Sequence, residues 1–130
     1  MENKKLTLIV IGLGFLAVAL GAFGAHALKP LMDENGINNF NTANRYHFYH
    51  ILLAMGVAMN AKENQKHMRY CIIFSMIGIF LFSGSLYIMA LKSTYSIPSW
   101  LPVLTPVGGL FFLLAWIMLF LNFSQLSKKI

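Results

Sequence analysis

The sequence predicts an all-α membrane protein: a four-helix transmembrane bundle with an interfacial amphipathic helix leading into the second span. Three observations predict it. The chain of 130 residues is 58% hydrophobic and only 11% charged, under half of the roughly 25% charge that a soluble domain carries to meet water. Its charges fall in clusters, and residues 6–28, 46–61, 70–91 and 93–127 hold no Asp, Glu, Lys or Arg. Three of those gaps exceed the roughly 20 residues that a helix needs to cross about 30 Å of hydrocarbon. Disorder is excluded, because it needs low hydrophobicity and high charge. A disulfide scaffold is excluded because Cys71 is the only cysteine; a small buried thiol is its expected role.

Residues 1–130 are expected to form one integral membrane domain with spans at about 6–28, 45–61, 70–91 and 105–123. The first span is Leu6 to Leu28. Met1–Ala27 also has the outline of a signal peptide, with Lys4, Lys5 and an Ala25-His26-Ala27 end. Its apolar run Leu6–Leu20 is already at the upper limit for such a segment and continues through Gly21–Ala25, so it reads as a retained span. The second span is the short one. Upstream of it, Ile37, Phe40, Ala43, His47, His50 and Ala54 recur at steps of three and four, which is one helical face. A helix is therefore expected to start near Asp33 or Gly36, lie at the interface with the Arg45 stem reaching the headgroups, and feed into the span. The third span runs from about Tyr70 to Leu91. Residues 93–102, with two prolines and three serines, form a loop with Trp100 at the interface. Thr105-Pro106 opens the fourth span, Thr as a cap and Pro at the first helical position.

Basic residues set the expected orientation. Lys4, Lys5, Lys62, Lys66, Arg69, Lys128 and Lys129 fall on one side, against Lys29, Arg45 and Lys92 on the other. Both termini are expected in the cytoplasm of a bacterial inner membrane. The net charge of +6 reads as orientation and contact with anionic lipid, not as a nucleic-acid footprint. Small residues should hold the helices together, since lipid offers apolar helices no hydrophobic reason to associate. Ala17, Gly21 and Ala25 repeat every four residues, with Gly14 and Gly24 nearby. Ser75, Gly78 and Ser85 share a stripe with Phe82 and Met89, and Gly108-Gly109 follows the fourth helix start.

The polar residues inside the spans converge on one depth. His26 closes the first span, His47 and His50 follow Arg45 on the second, Ser83, Ser85 and Tyr87 lie in the outer third of the third, and Thr105 opens the fourth. Such groups must find partners in hydrocarbon. Three readings are open for this layer: a hydrogen-bonded clamp that pins the helices, a site for a ligand or lipid headgroup, or catalysis. No metal and no cofactor is assigned, because an i, i+3 histidine pair plus one distant histidine is a weak zinc pattern and no carboxylate joins them. His67 lies in a loop and is expected to be solvated. G-x-S-x-G, P-loop, dinucleotide and H-E-x-x-H motifs are absent, and Gly12-x-Gly14 lies inside a span.

Four ordered motifs carry a family resemblance. They are Gly21-Ala22-Phe23-Gly24-Ala25-His26-Ala27-Leu28, then Phe40-x-Thr42-Ala43 with Tyr46-His47 and His50, then Leu81-Phe82-Ser83-Gly84-Ser85-Leu86-Tyr87, then Thr105-Pro106-Val107-Gly108-Gly109 with Trp116. On these the chain resembles the "domain of unknown function 423" family, YgdD-like small inner-membrane proteins related to mitochondrial transmembrane protein 256. The resemblance covers nearly the whole chain; Ala115 stands where the family commonly has glycine. It implies a four-span membrane protein and supplies no reaction. The expected function is therefore that of an accessory, assembly or lipid-organising subunit, not an enzyme, acting by helix–helix contact. Its partners would be the bilayer and either a larger membrane complex or a second copy. The alternatives are a minimal transporter or channel using the histidine-lined layer, and thirdly a membrane enzyme or metal-binding protein.

Overall fold

The computed structural model describes residues 2–60 and 65–127. Lys62, Lys128 and Lys129, on which part of the orientation argument rests, and Met1, which opens the signal-peptide outline, lie outside the described residues. Four helices follow one another: α1 (Glu2–Ala25), α2 (Glu34–Asn60), α3 (Lys66–Met89) and α4 (Leu104–Ser127). Short 3-10 turns at Lys29–Leu31 and Leu101–Val103 lead into α2 and α4. Within α3 the segment Ile79–Ser83 is π-helical. No strand occurs among the described residues.

The helices α1, α3 and α4 are each long and apolar enough to cross a membrane. The second helix is as long, but its outward face over the first three turns carries Asn35, Asn38, Asn41 and Arg45. It begins where the Asp33 carboxylate accepts the Gly36 N–H at 2.7 Å, which satisfies one of the free donors of a helix start. From there it runs unbroken to Asn60, so the expected interfacial helix and second span are one rod about 40 Å long.

Heptad spacing explains which faces meet. The buried residues of α2 are Gly36, Phe40, Ala43, His47, His50, Ala54 and Val57, with Ile51 beside them, alternating steps of four and three. Val10, Leu13, Ala17 and Gly24 on α1, and Gly108, Phe112, Ala115 and Asn122 on α4, follow the same rhythm. Such a seam keeps facing a neighbour inclined at about 20°. The expected Ala17-Gly21-Ala25 repeat drifts off it: Ala17 is buried, Gly21 half-buried and Ala25 exposed, because two steps of four overshoot two helical turns.

Antiparallel neighbours follow chain order. Helix α1 lies on α2, α2 on α3, and α3 between α2 and α4, which puts α1 and α4 on opposite flanks. The tightest approaches occur at glycines. Gly24 lies under the ring of Phe40, and Gly108 rests on the backbone of the π-helical turn at Leu81 and Phe82. No side chain fits at either contact. The larger apolar core holds Val10, Leu13, Ile51, Ala54, Ile72, Ile79, Phe112 and Ala115, and a smaller one near the Lys29 end holds Met32, Phe40 and Ala90. At that end the Leu31 carbonyl accepts the hydroxyls of Thr94 at 2.8 Å and Ser93 at 3.2 Å, which ties the two connecting loops together.

Candidate functional site: a polar layer between α2, α3 and its flanks

Asn44 and Tyr87 form the hub of the layer. The Asn44 Nδ2 group donates to the Ala17 carbonyl of α1 at 2.9 Å and to the Tyr87 hydroxyl of α3 at 3.0 Å. His47 Nδ1 lies 3.3 Å from the same hydroxyl. The Tyr87 proton has no other acceptor among the described residues, so it is assigned to His47 Nδ1, which leaves the His47 proton on Nε2. That ring also borders the Leu13 backbone of α1, while Nε2 reaches no hydrogen bond of good geometry. One helical turn further, His50 Nδ1 donates to the Tyr46 carbonyl at 2.9 Å. A carbonyl can only accept, so His50 carries its proton on Nδ1 and leaves Nε2 bare. The two imidazoles thus hold opposite tautomers.

Aromatic rings wall the layer. His50 stacks on Phe112 of α4 with centroids 3.5 Å apart and planes within 10°. Phe82 stands between Tyr46 and Phe112, at 4.8 and 5.4 Å, and Phe40 meets Tyr87 edge-on at 4.9 Å. On the far side of α3, Ser85 shares a 2.6 Å hydrogen bond with Thr105 of α4 and donates another at 3.0 Å to the Phe82 carbonyl; as a hydroxyl has one proton, these two bonds require Thr105 to donate to Ser85 when Ser85 donates to Phe82.

The structure joins His47 to Tyr87 and Ser85 to Thr105, buries His50 and Ser83 without a bond to either pair, and leaves His26 and Arg45 outside. His26 is exposed, just past the last turn of α1. Helix α1 ends at Ala25 and the chain closes a tight turn, Leu28 N–H to Phe23 carbonyl at 2.9 Å, which directs the residues after it away from the α2 seam. Arg45 is exposed on the outward face of α2. His47 and His50 are buried at 1% and 4% exposure, yet among the described residues the Nε2 atom of each has no hydrogen-bond partner, and neither has the Ser83 hydroxyl. Nearer the other end of the bundle, the buried Ser75 hydroxyl and Asn122 amide nitrogen are likewise unpaired; Ser75 faces the buried Cys71 thiol one turn away. Among the described residues no three His, Cys, Asp or Glu side chains come together as metal ligands.

Two members of the layer escape sequence reading. Asn44 sits one position off the buried stripe of α2, and only its place three residues before His47 marks it. The π-helical turn at Ile79–Ser83, closed by the Gly84 N–H to the Ile79 carbonyl, leaves no mark in composition. π-Helical turns often accompany functional positions.

Comparison with known proteins agrees with this membrane fold. The family described as "Protein of unknown function (DUF423)" matches residues 20–109. A "UPF0382 membrane protein" of Haemophilus influenzae is 39% identical over 119 residues, covering 92% of each chain. The "UPF0382 inner membrane protein YgdD" of Escherichia coli is 37% identical over 130 residues, 99% of this chain and 96% of its own. The "UPF0382 membrane protein YwdK" of Bacillus subtilis is 38% identical over 108 residues, 80% of this chain and 83% of its own. No solved structure matches. By the length and closeness of these matches the chain belongs to the DUF423 family, the UPF0382 membrane proteins.

Proposed function

We propose that this protein is a multi-pass subunit of the bacterial inner membrane, with both termini cytoplasmic, that works by presenting its flanking helices to a larger membrane complex. One observation carries the reading. In their apolar windows α1 and α4 bury only 17% of their residues inside the bundle, against 44% for α3. Phe15 and Val18 on α1, and Leu110, Trp116 and Phe120 on α4, all point outward. Two flanks of this kind suit lipid and helix contact. Asn44, His47 and Tyr87, and Ser85 with Thr105, bond between helices as a clamp would require, while His50 bonds within α2. The orientation rests on the basic residues, and the inner-membrane location on the name of the Escherichia coli relative.

A photo-crosslinking residue at Leu110 or Phe120, irradiated in native membranes, should give discrete larger adducts. A similar residue at buried Ala115 should not. Adducts to lipid alone from every position would contradict the reading.

A second reading, passage of a small polar solute through the layer, is favoured by the unpaired Nε2 atoms of His47 and His50 and the unpaired Ser83 hydroxyl. Cysteines at Ser83 and Ser85, in a Cys71→Ser background, decide it. Reaction with a membrane-impermeant thiol reagent supports passage, and resistance supports the clamp.

A further inference from the structure

We infer that the outward face of α2 binds the headgroup of an anionic phospholipid, with Arg45 as the cationic contact and Asn38 and Asn41 as amide contacts. The inference stands on the membrane-spanning fold and does not require a protein partner. Asn38, Asn41 and Arg45 are all exposed and, at steps of three and four, stand in one line along the helix. The line continues through Tyr49, Leu52, Gly56 and Met59, also exposed, so it turns from polar to apolar just past Arg45. Among the described residues a side chain at Gly56 would meet nothing within 4 Å, which leaves that lower part open to an acyl chain.

Contacts with α1 set the depth. Asn44 bonds the Ala17 carbonyl and faces Gly21. Those positions lie eight and four residues inside the Ala25 end of a span that begins at Lys4, so Arg45 enters the layer about 6–12 Å below that end. A guanidinium on a lipid-facing surface at such depth is costly unless it reaches a phosphate. The helix aims it at one. Cα–Cβ bonds tilt toward a helix N-terminus, and α2 starts at this same end of the bundle, so the Arg45 stem rises past Asn41 toward the near headgroups.

Charge selects the occupant. Among the described residues no carboxylate pairs with Arg45, and Glu34 stands three turns back on α2. A second copy in the same membrane has the same orientation, so pairing through this face would set Arg45 against Arg45. A phosphate diester accepts a bidentate guanidinium, and the asparagine amides can donate to its remaining oxygens.

The test titrates the detergent-purified protein with phosphatidylglycerol or phosphatidylcholine and counts retained lipids by native mass spectrometry. Phosphatidylglycerol should be retained in preference, and Arg45→Gln should weaken that retention about tenfold, as expected for a lost charge-assisted contact. Arg45→Lys should fall between. Lys92→Gln, an equal charge change on an exposed loop at the same end, should leave retention unchanged. Because Arg45 is exposed, its variants should keep the thermal midpoint of the parent, which separates lost binding from lost fold. Equal retention by Arg45→Gln, an equal loss in Lys92→Gln, displacement of the lipid by inorganic phosphate, or loss of a bound protein in place of a lipid would each overturn the proposal.

Discussion

Replacing Tyr87 by Phe removes one oxygen from the centre of the bundle and little else. The ring keeps its edge-on contact with Phe40 at 4.9 Å, so the apolar packing of the smaller core is retained. Two bonds between α2 and α3 disappear, the 3.0 Å bond from Asn44 and the 3.3 Å bond with His47. Hydrogen bonds between membrane helices average about 0.6 kcal/mol, so the pair accounts for about 1.2 kcal/mol. His47 is then left with neither ring nitrogen paired while only 1% exposed, and an orphaned buried group adds about 1–3 kcal/mol where water cannot reach it. The expected loss is therefore about 2–4 kcal/mol. Reversible unfolding in mixed micelles measures it, and a double-mutant cycle with Asn44→Ala separates the shared bond from the orphaned imidazole. A Tyr87→Phe variant within about 0.3 kcal/mol of the parent would refute the clamp reasoning, since that lies below even one average bond.

Three further outcomes are expected. Gly108→Ala places a methyl against the main chain of the π-helical turn, within 2.8 Å of the Leu81 carbonyl carbon; main chain cannot step aside, so α3 and α4 should separate at a cost of about 1–3 kcal/mol, read as a lowered thermal midpoint. His50→Ala removes the stack on Phe112 and the bond to Tyr46 and should cost about 2–4 kcal/mol, in the range of large-to-small core changes. An unchanged midpoint together with altered ligand binding would instead favour a ligand site at His50. Thr105→Val should cost about 0.6 kcal/mol, Ser85→Ala somewhat more because it also loses the bond to the Phe82 carbonyl, and the double variant no more than Ser85→Ala alone, because both single changes remove the same 2.6 Å bond; an additive pair would show that the shared bond contributes nothing.

Much of the architecture is legible before any coordinates. The four uncharged gaps correspond to four helices, and the Phe40-Ala43-His47-His50-Ala54 face is the buried face of α2. Boundaries are less so. The first helix ends at Ala25 and not Leu28, the third starts at Lys66, and the fourth runs past Phe123 to Ser127, because helices continue beyond hydrocarbon wherever capping and packing allow. The polar layer is legible as a set of residues but not as a set of partners. His26 shares a depth with His47 in the sequence, yet α1 ends one residue earlier, at Ala25, and the turn that follows carries it outward. Asn44 gains its role only because Gly21 and Ala17 of α1 stand opposite it, and opposition across helices is a property of register that a one-dimensional pattern does not encode. The outward asparagines of α2 look like an interfacial helix in sequence, and only the contacts with α1 show how deep that face reaches.

Solid-state ¹⁵N spectra of histidine-labelled protein in bilayers test the central claim, that both imidazoles are fixed in the bundle interior, His47 by its bond to Tyr87 of α3 and His50 by its bond to Tyr46 within α2. The account predicts two fixed rings of opposite kind, one protonated at Nε2 for His47 and one at Nδ1 for His50, with Tyr87→Phe releasing only the first. Rings that exchange freely between both forms, as a solvated imidazole does, would contradict it.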